Sequence, residues 1–316
     1  MYRSLLFSIS IVFLSISANI AHSEQALDKQ SDLQVPESVE SFKQLAADAD
    51  NGDPEAQRQL AYRYDRGIGV EEDVDLAVQW MRRSARQSYP PGQRGLGRLF
   101  ERGRGVEKNY EEAVGWYRVA AEQGDVGAQI NLGRMYEHGT GVRRSGEQAM
   151  HWYLQAADQG DARMQYVVGA YYHTGHIVEK NHVEAIRWYQ LALEQDHAIA
   201  IGNLGYMYLH GEGVKRDDNR AFELVEKSAR LGSPHGQYWL AKMFATGRGT
   251  GRDYGQCVYW SRVSLRGQQD RKTRDLNERC VERVGKPSQA IKKNPATDLA
   301  KKRRLIERKQ DYVMDD

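Results

Sequence analysis

The residues in this chain with the chemistry to bind or react are histidines, arginines and one pair of cysteines. His173 and His176 flank Gly175, and His182 follows soon after. Imidazoles this close are a common start of a metal site. No carboxylate or thiol set accompanies them, however, and the spacing is no zinc pattern, so no metal is assigned. His138 and His210 fall at the ends of helical segments, where a protonated imidazole suits the helix dipole. Nucleophile signatures are missing. No Ser is followed by Lys as in S-x-x-K, and neither G-x-S-x-G nor H-E-x-x-H occurs. Recurrent G-x-G pairs follow helical segments and lack the Lys of a phosphate loop, so they are turn glycines. No catalytic residue and no cofactor site is expected.

The elements that would position these side chains recur. Trp80, Trp116, Trp152, Trp188 and Trp260 lie on a ladder with a step of 36 residues, and Leu224 takes the missing rung. Leu60, Leu96, Leu132, Val168, Leu204 and Leu240 share a second rung. A tiny residue follows each, from Ala61 through Gly133 to Ala241, and an aromatic follows three residues later, from Tyr64 to Phe244. A fixed period of this length marks one supersecondary unit copied and stacked. Leu96, Gly97 and Phe100 define one helix face, and Gly103 suits its left-handed C-terminal cap. Asp73, Asn109, Ser145, Asn181, Asp217 and Asp253 are N-cap types that open a second helix in each copy. Neither helix buries its stripe alone, so neighbours must stack. The expected fold is an all-α, right-handed α-solenoid of 36-residue helix-turn-helix repeats. Six full repeats are predicted at about 53–88, 89–124, 125–160, 161–196, 197–232 and 233–268, between capping helices at 38–51 and 269–283. The ladder indoles are expected to be the plugs between repeats. Ile177 replaces a turn glycine in repeat four and Leu224-Val225 replaces Trp-Tyr in repeat five, which predicts local changes of angle there.

Residues 1–23 read as a secretory signal: Arg3, then the apolar stretch Leu5 to Ile16, then small residues that allow cleavage after Ser23 or after Ala18. An uncleaved anchor is the alternative. No later segment is apolar enough to span a bilayer. Residues 24–37 are polar and expected to be flexible, and 284–316 form a basic tail expected to be disordered. The formal net charge is +2, so nothing points to nucleic acid. Cys257 and Cys280 fall on core-facing rungs of neighbouring helices. Export would permit a disulfide between them, and two buried thiols are the other reading.

Repeat three carries Leu132-Gly133, Tyr136, Gly139-Thr140-Gly141-Val142, Ala149, Trp152-Tyr153, Ala156-Ala157 and Gln159-Gly160-Asp161. This pattern resembles the Sel1-like repeats, relatives of tetratricopeptide repeats, from about residue 40 to 283. The resemblance implies adaptor or scaffold work and a bacterial source, which with the signal predicts a periplasmic or secreted protein. It also implies that the first helix of each repeat lines a concave groove. Mapped onto this sequence, the groove would hold Arg58, Tyr62, Arg66, Arg94, Arg98, Arg102, Arg134 and His138 toward one end, with Asp65, Glu101 and Glu137 offsetting part of the charge. Tyr166, His173, Tyr206, His210, Tyr238 and Lys242 would line the other. Arg and Tyr are enriched at the energetic centres of interfaces. The expected function is a non-enzymatic scaffold that holds a protein partner in this groove, as a regulator or an assembly factor of the envelope. Binding of an acidic polysaccharide is the alternative, and a cell-wall or lactam hydrolase is a distant third.

Overall fold

The computed structural model describes residues 39–267 and 269–284. The predicted signal, the segment 24–37 and the basic tail beyond Val284 lie outside the described residues. Among these residues the chain is all helix. Helices α1 (Val39–Asp50) and α14 (Arg271–Val284) flank six antiparallel pairs. The pairs are α2 (Pro54–Arg66) with α3 (Val74–Arg86), α4 (Pro90–Arg102) with α5 (Tyr110–Glu122), and α6 (Val126–His138) with α7 (Gly146–Asp158). They continue with α8 (Ala162–Thr174) and α9 (His182–Glu194), α10 (Ala198–His210) and α11 (Asp218–Arg230), and α12 (Pro234–Thr246) and α13 (Tyr254–Gly267). Each helix packs on the next, which is the α-solenoid expected from the period. No described helix is long and apolar enough to cross a membrane.

Local chemistry explains why the helices start and stop where they do. Asp73, Asn109, Ser145, Asn181 and Asp217 each accept a backbone N–H from the first turn of the second helix. Asp253 accepts from the Gln256 N–H at 3.0 Å. First helices end on glycine in the left-handed region, as at Gly139 with φ 70°. Repeat two enters without such a cap: Tyr89 makes no side-chain cap hydrogen bond. Its hydroxyl instead donates to Glu55 of the preceding repeat at 2.5 Å.

The core corrects one expectation. The ladder indoles are not uniform plugs: Trp188 is only 1% exposed and Trp80 is buried, but Trp116, Trp152 and Trp260 keep partial contact with solvent. The fully enclosed plug is the next residue, Tyr117, Tyr153 or Tyr189. Each ring lies against the glycine that follows the leucine rung. A Cβ on Gly97, Gly133 or Gly169 would stand 2.6–2.9 Å from the nearest ring carbon.

A ladder of glutamine amides, one buried and one exposed in each pair, joins the repeats. Gln129 donates from Nε2 to the Ala121 carbonyl at 3.2 Å, near the end of the preceding second helix. Its Oε1 accepts from Gln159 at 2.8 Å. Gln57 with Gln87, Gln93 with Gln123 and Gln165 with Gln195 repeat the pair. A buried polar group costs stability unless it is partnered, and each buried amide here is satisfied by a carbonyl on one side and an exposed glutamine on the other. Repeat five holds Ile201 and Leu231 at the two equivalent positions, so both partners become apolar together.

The irregular fourth turn is also a matched exchange. A Cβ on Gly141 would meet the Tyr110 carbonyl, and one on Gly213 would meet Cβ of His182 at 2.5 Å. The second turn glycine therefore rests on the first residue of the preceding second helix. In repeat four that glycine is Ile177, and the residue beneath it is Gly146, where a Cβ would lie 2.8 Å from the Ile177 carbonyl. The small residue has moved to the other partner and the stack continues. At the far end Cys257 and Cys280 form a disulfide that ties α13 to α14, with Cα atoms 6.1 Å apart.

Candidate binding surface on the first helices

First helices touch first helices one repeat away: α2 meets α4, α8 meets α10, α10 meets α12, and α12 meets α14. No described pair of second helices comes together to a comparable extent. First helices are thus on the inner side of the curve, and their side chains line it.

The arginine end is more tightly held than the sequence reading expected. Arg58 forms a two-pronged pair with Glu55, with Nε and Nη2 each 2.8 Å from a carboxylate oxygen. Burial alone would raise the Glu55 pKa. Hydrogen bonds from Arg58, Tyr89 and Gln59 outweigh it and bring the pKa down to about 2. Arg94 is a correction. Its side chain is 13% exposed, and Nε lies 2.8 Å from the N-cap carboxylate of Asp125, outside hydrogen-bond alignment. Gly127 makes room for it, since a Cβ there would stand 2.8 Å from Arg94 Cδ. Arg94 therefore staples repeat two to repeat three, and Arg58 holds the Glu55 carboxylate that Tyr89 of repeat two also engages. Arg134 reaches Glu101 at 2.6 Å, and Tyr117 donates to the same carboxylate at 2.6 Å.

Tyr62, Arg66, Arg98 and Arg102 do converge. With Asp65, Glu72 and Arg104 they line a cavity of about 380 Å³ between repeats one and two. Four guanidinium groups there face two carboxylates. Arg104 was not among the expected groove residues. It sits between two turn glycines and reaches back to Asp65 at 2.7 Å and Glu72 at 2.8 Å.

The other end is aromatic. Tyr206 stacks on His210 with centroids 4.0 Å apart, and Trp239 meets both rings edge-on. Lys242 Nζ lies 4.3 Å from the centroid of Trp239, a cation–π distance. Burial, then Arg248, Lys272 and Arg279, push the Lys242 ammonium below its ordinary pKa. Tyr238 packs edge-on against Trp239. Trp239 is the tryptophan off the 36-residue ladder, and that irregularity was the available signal for it. Tyr166 is a second correction. It is fully buried, between the rings of Tyr189 and His197, and presents nothing to a partner. His138 is exposed on the inner side.

One register recurs along this face. The residue after the first turn glycine reaches back 39 positions to the last turn of the previous first helix. Arg104 meets Asp65, Glu212 meets His173 at 2.7 Å, and Arg248 donates to the Leu209 carbonyl at 2.5 Å. His176 lies 3.8 Å from Glu137. Glu137 is 7% exposed and accepts from Tyr153 at 2.8 Å and Tyr171 at 2.9 Å. The three neighbouring histidines therefore separate. His176 stacks on Tyr171, whereas His173 and His182 face one another with Glu212. The hydrogen bond with His173, opposed by burial, lowers the Glu212 pKa. Burial and Lys180 lower that of His182.

Comparison with known proteins bears on what such a surface does. The family profile described as Sel1 repeat matches residues 54–89, 90–125, 126–161, 162–197, 198–233 and 234–263. Among solved structures, the chain resembles c5321, a protective antigen present in uropathogenic Escherichia coli strains displaying an SLR fold. The sequences are 35% identical and the TM-score is 0.72, over 79% of this chain and 53% of that one. The chain thus spans about half the length of that relative. It also resembles a Sel1 repeat protein from Oxalobacter formigenes, with 28% identity and a TM-score of 0.60, over 73% of this chain and 100% of the other. No curated protein matches the sequence.

Proposed function

The chain belongs to the Sel1 repeat family, and we propose that it is a non-enzymatic scaffold of the bacterial envelope whose inner face holds an acidic segment of a protein partner. Sel1-repeat proteins commonly serve as protein-interaction scaffolds. The observation that carries the acidic-segment reading is the cavity between repeats one and two, where guanidinium groups outnumber carboxylates two to one. Planar guanidinium forks suit carboxylates, and a preordered wall loses little entropy on binding. Charge steering would be strongest at this end, because the aromatic end offers rings and a half-buried ammonium. Placement in the periplasm or outside the cell rests on the signal-like residues 1–23, and the description of c5321 as a protective antigen supports it.

The test is fluorescence anisotropy of a labelled Glu-rich peptide against the full chain. Binding should weaken with added salt. It should also weaken at least about tenfold in the Arg98→Ala, Arg102→Ala double variant, a loss of roughly 1.4 kcal/mol. Unchanged binding in that variant would remove the cavity from the proposal. Stronger competition by a soluble anionic polysaccharide than by peptide would favour the glycan reading.

A further inference from the structure

Three donors from two consecutive repeats meet at the junction of repeats four and five. His173 lies in the last turn of α8, His182 is the first residue of α9, and Glu212 lies in the turn after α10. One ligand atom from each falls within 4.8 Å of the others. His173 Nε2 and a Glu212 carboxylate oxygen are 2.7 Å apart. The other His173 nitrogen, Nδ1, is 3.5 Å from the Tyr189 hydroxyl, and that hydroxyl is itself fixed by Asn203 at 3.2 Å. A ring nitrogen held from behind while the other points at a carboxylate is the outer-shell arrangement of ligating histidines. His182 adds an independent sign. Its Nε2 is buried and makes no hydrogen bond, so the fold itself does not use this donor. Buried polar atoms left without a partner are uncommon and call for an occupant.

The geometry points to a divalent transition-metal site of the zinc class, with His173, His182 and Glu212 as protein ligands and a water completing the shell. Two imidazole nitrogens and one carboxylate oxygen are the donor set that zinc accepts when a position stays open. Binding releases the proton between His173 Nε2 and Glu212 to solvent and gives the orphan nitrogen of His182 a partner. The ion would clamp repeat four to repeat five at the turn end of a junction whose other end holds Ile201 in place of a bonding glutamine. His176, although nearest in sequence, is no ligand because it is turned toward Tyr171 and Glu137.

Untagged full-length chain, stripped with chelator, is titrated with Zn²⁺ by calorimetry and with Co²⁺ by visible absorption. One ion per chain is expected, with Co²⁺ d–d bands. The His182→Ala and Glu212→Gln variants should each weaken binding by more than about tenfold, since even outer-shell changes cost 10–100-fold. His176→Ala should bind as the parent does. No binding by the parent, parent-like binding in both ligand variants, or an equal loss in His176→Ala overturns the site. Should a ligand variant fail to fold, acylation of histidines in the parent decides the matter. Zn²⁺ should protect His173 and His182 but not exposed His138, and equal labelling with and without the ion overturns the assignment.

Discussion

Gly133 and Tyr153 occupy one space: a Cβ on the glycine would stand 2.6 Å from Cε1 of the ring. In repeats two to four the glycine of this rung and the tyrosine after the tryptophan are therefore two halves of a single packing device. The first and last copies hold Ala61 and Ala241, and their second helices hold Met81 and Ser261 in place of the tyrosine.

Gly133→Ala should consequently destabilise by roughly 1–3 kcal/mol, because the added methyl must push the ring aside. Tyr153→Ala should cost roughly 3–5 kcal/mol and also leaves Glu137 without one of its donors. Trp152→Ala should cost less than Tyr153→Ala, since the indole is only partly buried. Urea midpoints of the three variants check the order. A Trp152 variant weaker than the Tyr153 variant would return the plug to the indole.

Ser88 occupies the left-handed region with φ 58°, at the position held by Gly124, Gly160 and Gly232 in other repeats. Ser88→Gly should raise stability by about 0.5–1 kcal/mol, the relief of left-handed strain less the extra freedom of glycine when unfolded. Asp196 has φ 56° but also meets Lys227 at 2.6 Å, an exposed pair worth little. Thermal melts of Ser88→Gly and Asp196→Gly should both move upward.

Reduction of the Cys257–Cys280 bond should loosen one end only. The bond closes a separation of 23 residues, for which chain entropy predicts about 3 kcal/mol. In a solenoid each repeat contacts only its neighbours. Hydrogen exchange after reduction, or in Cys280→Ser, should accelerate in α14 and α13 and stay unchanged in α4 through α7. Uniform acceleration would contradict nearest-neighbour stability.

Acid should weaken the junction of repeats four and five through His197. Burial pushes this imidazole down to about 4, with Asp161 opposing the shift, and Nδ1 accepts the Ala200 N–H at 3.3 Å as a helix cap. The unfolded chain binds the proton near pH 6.5 and the folded chain resists it. Stability is thus complete above that value and is lost as pH falls toward 4. The loss is about 2 kcal/mol after allowing for partial exposure. His197→Asn keeps a capping side chain without the titration, so its urea midpoint should change less between pH 7 and 4.5. His235, also brought down to about 4 by burial, supplies part of the slope that persists. An unaltered slope in His197→Asn would exclude the mechanism.

Much of this architecture was legible from residue order, because its causes are local and repeat. Cap side chains such as Asn109, turn glycines such as Gly139 and the leucine rung each act within a few residues, and six copies make the signal additive. The amide ladder was present in the sequence as Gln57, Gln93, Gln129 and Gln165, but polar residues at core rungs have no meaning until their partners, 30 positions onward, are known. The groove was legible as a set of positions and not as a set of exposures. Tyr166 and Tyr238 share a rung, yet His197 and Tyr189 cover the first while the second lines the surface.

The sequence by itself determined the repeat, the helix pairs, their caps and the irregular copies, since a 36-residue period and capping chemistry admit one arrangement of short-range forces. Tertiary structure alone decided which side chains meet. Stacking brings residues 39 apart into contact, so Glu212, and not His176, faces His173, and Asp125 takes Arg94 out of the groove. Those pairings depend on the rise and turn of each repeat against the next, which the bulk and charge of distant neighbours set and no local pattern encodes.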